Sequence, residues 1–135
     1  MHNANQIAHL GFIQNIITRM GTNSFLIKAW SVTLVAALFT LAAKDTNKSF
    51  MILAYFPVLF FWVLDAYFFH QELLFRKLYE KVATGEISSN EFTLKTSTLR
   101  AEVPCMLDFV SARILCCFHA VIFMVVSFAM WYLAY

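Results

Sequence analysis

Three long apolar blocks stand out along the chain, at residues 25–43, 50–69 and 114–133. As α-helices each is about 28–30 Å long, close to the hydrocarbon thickness of a bilayer. Charge inside them is sparse: Lys28 in the first, Asp65 in the second, and in the third only the imidazole of His119. Lys44, Asp45, Thr46, Asn47, Lys48 and Ser49 join the first two blocks. So short a polar link makes its helices an antiparallel hairpin. The pattern predicts a single all-α integral membrane domain over residues 1–135 with three transmembrane helices.

The flanking stretches are also periodic. Ile7, Leu10, Ile13, Ile17 and Met20 recur at spacings of three and four, which predicts an amphipathic helix over 5–20 with Gly21 as its stop. Asn23 or Ser24 is then the expected cap of the first spanning helix. The second spanning helix is expected to continue out of the bilayer to residue 83. Leu73, Leu74, Leu78 and Val82 line one side of that extension, Glu72, Arg76 and Glu80 pair at i,i+4 on the other, and Gly85 ends it. Residues 84–113 are polar, with Asn90 a candidate cap for a short helix and Pro104 at the re-entry. Pro57 predicts a kink in the outer half of the second helix.

Composition sharpens this picture. Apolar residues make up 61% of the chain and charged residues 13%, against roughly 25% charged in ordinary globular domains. So short a soluble chain has too much surface to carry so few charges. No cleavable leader is expected, because the stretch before residue 25 lacks a basic start and a small-residue cleavage site. Arg19 and Lys28 precede the first helix, and Arg76, Lys77, Lys81, Lys95, Arg100 and Arg113 lie between the second and third; only Lys44 and Lys48 occupy the other side. That asymmetry predicts a cytoplasmic N-terminus and a C-terminus outside, with Trp131, Tyr132 and Tyr135 as an aromatic anchor at the outer interface. Cys105, Cys116 and Cys117 fit neither a disulfide framework nor a zinc site and read as reduced packing residues.

Intramembrane charges are the first functional candidates, since each costs a few kcal/mol unless paired. Counted outward from the turn, Lys28 and Asp65 lie at equal depth on neighbouring helices, so an ion pair between them is expected, as a structural staple or as a gating charge at the cytoplasmic mouth. His119 is expected in an interhelical hydrogen bond; Asp108 and Arg113 flank its helix and could join the same ionic layer. Ala29, Thr33, Ala37 and Thr40 on the first helix, and Ala112, Cys116 and Ala120 on the third, form stripes that let helices approach closely. In an assembly of several copies, Thr33, Ala37 and Thr40 would make a narrow, weakly polar pore wall. Arg76, Lys77 and Lys81 could face anionic lipid or bind an anionic ligand such as a nucleotide. A phosphate loop, a zinc motif, paired carboxylates and a serine elbow are all missing from the sequence, so no catalytic activity and no cofactor are expected.

The segment Arg19-Met20-Gly21-Thr22-Asn23-Ser24-Phe25-Leu26-Ile27-Lys28-Ala29-Trp30, the segment Phe61-Trp62-Val63-Leu64-Asp65-Ala66-Tyr67 and the run Glu72-Leu73-Leu74-Phe75-Arg76-Lys77-Leu78-Tyr79 together resemble small bacterial membrane proteins found beside anti-phage defence genes. The hairpin with its helical extension is similar to the SLATT class of pore-forming effectors and, more narrowly, to the Hailong-type effectors. The likeness covers residues 19–82, and the third spanning helix departs from the two-helix SLATT plan. What it implies is an oligomeric inner-membrane channel controlled by an oligonucleotide that a partner nucleotidyltransferase makes. A non-conducting membrane anchor that recruits a cytoplasmic partner is the alternative, and a small transporter a third.

Overall fold

The computed structural model describes residues 3–45, 49–110 and 113–134. Thr46, Asn47 and Lys48 of the turn, Ala112 and Tyr135 lie outside the described residues, as do the side chains of Arg113, Ile114 and Leu133. The chain is all-α, and three of its helices are long and apolar enough to cross a membrane.

Helix α1 runs unbroken from Ala4 to Asp45, 42 residues. The expected stop at Gly21 does not occur. A helical glycine costs only about 1 kcal/mol relative to alanine, and a side chain there would point at Glu72 of the next long helix, whose carboxylate lies 3.9 Å from the ideal Cβ position. Ile13, Ile17, Ile27, Ser31, Val35 and Ala42 are all buried on one continuous face, and packing along that face outweighs one glycine. Ser24 is therefore mid-helix and caps nothing.

Helix α2 (Ser49–Leu53) leads into α3 (Tyr55–Ala83, 29 residues), which returns antiparallel along α1. The break falls at Ala54, three residues ahead of Pro57. Proline cannot donate the hydrogen bond that would reach back to Leu53, so a helix start just before it costs little. The kink expected at Pro57 is thus a restart. At its other end α3 stops at Gly85, with φ 80°, and Gln6 of α1 donates from Nε2 to the carbonyl oxygens of Val82 (2.7 Å) and Ala83 (3.4 Å). Both carbonyls lie in the last turn, where a helix end leaves acceptors short of donors; that of Val82 also takes the Gly85 N–H at 3.2 Å.

Residues 84–105 form a strap folded back over the end of the hairpin. Asn90 caps no helix there; its own N–H donates to Ser88 Oγ, and the only regular element is a 3₁₀ turn at Ser97–Glu102. His9 holds the strap: it is fully buried, its Nδ1 lies 3.2 Å from Ser89 Oγ, and its Nε2 lies 2.8 Å from the carbonyl oxygen of Thr93. Phe92, whose ring meets both His9 and Phe12, adopts φ 47°, a conformation that costs a non-glycine residue about 1–3 kcal/mol. Leu99 and Val103 close the strap onto Leu74, Leu78 and Val82.

Helix α4 (Met106–Val110) follows, with Asp108 accepting from the Cys105 N–H at 3.0 Å. Helix α5 (Arg113–Ala134) then runs along α3. Toward its end Tyr55 and Ser127 hydroxyls meet at 2.9 Å, and Trp131 and Tyr132 are exposed. The buried apolar residues fall into two clusters. One lies at the strap end, around Ile13, Leu74, Leu78, Leu99 and Phe109; the other, at the turn end, holds Val35, Ala54, Val58 and Val126.

Candidate functional site

Between the two apolar clusters all three long helices contribute polar groups to one point. Asp65 of α3 is fully buried. Lys28 Nζ reaches its Oδ2 at 2.6 Å, and the Ser24 hydroxyl, one turn earlier on α1, donates to its Oδ1. Lys28 also donates to Ser24 Oγ at 2.8 Å. From α5, His119 Nε2 lies 3.2 Å from the same Oδ2. A carboxylate paired with lysine only accepts, so this imidazole carries its proton on Nε2. Trp62, one turn from Asp65, stacks on the His119 ring with centroids 6.0 Å apart and planes 12° from parallel.

Geometry explains why these residue types stand here. Asp65 accepts three donors, enough to replace most of the water it has lost. Lys28, with a quarter of its side chain exposed, keeps its stem along the helix and its head near the polar end, as lysine does at bilayer edges. His119 is fully buried, and among the described residues neither its Nδ1 nor the buried hydroxyl of Ser31, one turn beyond Lys28 on α1, has a partner. Among the described residues, no group of three or more His, Cys, Asp or Glu side chains could hold a metal ion. What this arrangement supplies is a buried ion pair and its hydrogen bonds.

Thr33, Ala37 and Thr40 lie on the opposite side of α1, exposed. Thr33 donates to the Ala29 carbonyl and Thr40 to that of Ala36, each at 2.9 Å, so outward they offer only acceptor lone pairs. The same row extends back along the helix through Ala4, Ala8, Gly11, Asn15, Thr18 and Thr22, all exposed, with Leu26 its one large member. Arg76, Lys77 and Lys81 are each engaged already: Arg76 with Glu72 (2.7 Å), Lys77 with Glu80 (3.0 Å), and Lys81 with Glu102 (2.6 Å) and Glu86 (3.8 Å). Hydrogen bonding to Glu102 holds the Lys81 ammonium above its ordinary pKa. Asp108 does not join the Asp65 cluster; it caps α4.

Sequence reasoning places Lys28 and Asp65 together but misses Ser24, which reads as a cap, and assigns Trp62 no part in the site. Both sit a single helical turn from a member of the pair, and that spacing was the available signal. The chain matches no protein family, no curated protein and no solved structure.

Proposed function

We propose that this chain assembles with copies of itself in a bacterial inner membrane, N-terminus in the cytoplasm and C-terminus in the periplasm, as a pore-forming or membrane-disrupting effector of anti-phage defence. The observation that carries this reading is the outer row of α1: from Ala4 to Thr40 its members are uncharged and almost all small, with Arg19 at its border and Lys44 only at its end. A water-facing helix surface ordinarily carries charges, and a lipid-facing one gains little from alanine and threonine. A row of that composition suits the close approach of another helix in both solvents. Gly11 adds to the argument, since a Cβ there would meet nothing within 4 Å. Packing within one chain gives no reason for a glycine that costs its own helix about 1 kcal/mol.

Three helices cannot enclose a conduit in one copy, so any passage lies between copies, most simply in a closed ring. With α1 innermost, Thr33, Ala37 and Thr40 would line it and present hydroxyl oxygens as acceptors. A cytoplasmic anionic ligand, such as the oligonucleotide that the resemblance implies, would have to displace Glu102 to reach Lys81, and that displacement would loosen the strap from α3.

Induction in cells carrying a potential-sensitive dye, together with the oligomeric state in lipid nanodiscs, tests the proposal. Depolarisation by an oligomer, lost in Ala37→Trp, is the expected result. A single copy in nanodiscs, or membranes that stay polarised while a stoichiometric partner co-purifies, would replace this reading with that of a membrane anchor.

A further inference from the structure

We infer that His119, with Asp65, is an intramembrane proton-binding site, and that its occupancy decides whether Asp65 is neutralised by α1 or by α5. The inference concerns the single chain and does not rest on the channel proposal. The acceptor position is fixed by geometry. Because Nε2 donates to Asp65, the lone pair is on Nδ1, and that nitrogen is fully buried with no partner among the described residues. The buried Ser31 hydroxyl, also unpartnered, is on the same face of α1 as Lys28.

Charge balance gives the consequence. With neutral His119 the cluster holds Lys28⁺ and Asp65⁻ and sums to zero. Adding a proton at Nδ1 makes an imidazolium and leaves a net positive charge in a low-dielectric interior, which costs stability unless one cation moves to water. Asp65 and His119 are fully buried, whereas Lys28 is partly exposed, so the lysine is the member with a route to water. Protonation therefore binds α5 to α3 through an imidazolium–carboxylate pair and frees Lys28 to extend to the interface, leaving the Ser24 hydroxyl as the hold of α1 on Asp65. Among the described residues the charged or titratable groups around the imidazole are Lys28 from α1, Asp65 from α3 and, one turn back on α5 itself, Cys116.

Trp62 reports the event, because an imidazolium stacked on an indole quenches its emission. The protein with Trp30→Phe and Trp131→Phe keeps Trp62 as its one tryptophan. In nanodiscs its emission should fall as the pH is lowered and the imidazole takes up a proton. The fall should be absent in His119→Gln. In Lys28→Met and Lys28→Gln the midpoint should move to higher pH, because the imidazolium no longer competes with a second cation; Lys28→Arg should leave it in place. A flat trace in the parent, a fall that persists in His119→Gln, or a midpoint that does not move when the Lys28 charge is removed would overturn the inference.

Discussion

At the strap end of the hairpin, Leu74, Leu78 and Val82 are fully buried under Ile13 and Ile17 of α1 and Leu99 and Val103 of the strap. At the turn end the buried cluster holds Val35, Ala54, Val58 and Val126, with Phe56, Leu59, Phe60 and Val63 exposed around it. The difference follows from the solvent each end is built for. Water drives large apolar side chains together, and the strap end packs accordingly. Hydrocarbon offers no such drive, so helices within it are held by close contact and a few polar bonds. The Asp65 cluster and the Tyr55–Ser127 bond are what the spanning part uses.

This contrast makes the polar cluster the most sensitive point of the molecule. Lys28→Met should destabilise the protein by about 3–5 kcal/mol in detergent unfolding, because Asp65 is left buried without its cation. Asp65→Asn should cost less, since Lys28 can extend to the interface. Equal losses would mean that the two charges are equally committed to the site. Next in size, Leu78→Ala at the strap end should cost about 2–5 kcal/mol, whereas Val58→Ala at the turn end should cost about 1 kcal/mol, since fewer atoms are removed and only packing contacts, with no transfer from water, are lost there. A similar loss at both ends would erase the distinction.

Gln6→Ala removes two bonds to the end of α3 and should cost about 1 kcal/mol, read most directly as faster amide exchange at residues 82–87. The smallest effect is expected from pH acting on the strap. The Lys81 pKa is raised by Glu102, so this pair contributes fully below the ordinary lysine value and is lost only as pH rises beyond it. Protease sensitivity of residues 84–103 should accordingly stay constant through neutral pH and increase in strongly alkaline solution.

The three spans and their hairpin were legible because hydrocarbon imposes length and composition on whole blocks of sequence. The depth match of Lys28 and Asp65 was legible for a related reason: both are counted from one short turn. His119 could not be placed in the same layer, since its depth depends on how residues 104–113 re-enter, and no spacing in the sequence sets that. The strap was illegible as well. It depends on contacts between His9 and residues some eighty positions away, and its polar composition reads as loop. Gly21 misled because a local helix breaker was weighed without the partner helix that keeps α1 straight.

The unbroken α1 makes the molecule a lever. Its 42 residues give a rod of about 63 Å, gripped near its middle by the Asp65 cluster and at its tip by the strap. His9 stands about 28 Å from Lys28 along that rod. A tilt of a few degrees at the grip thus sweeps the tip by a couple of ångströms, and a tug on the tip is felt at the opposite end. A hinge at Gly21 would have absorbed such motion; a stiff shaft passes torque between the two solvents.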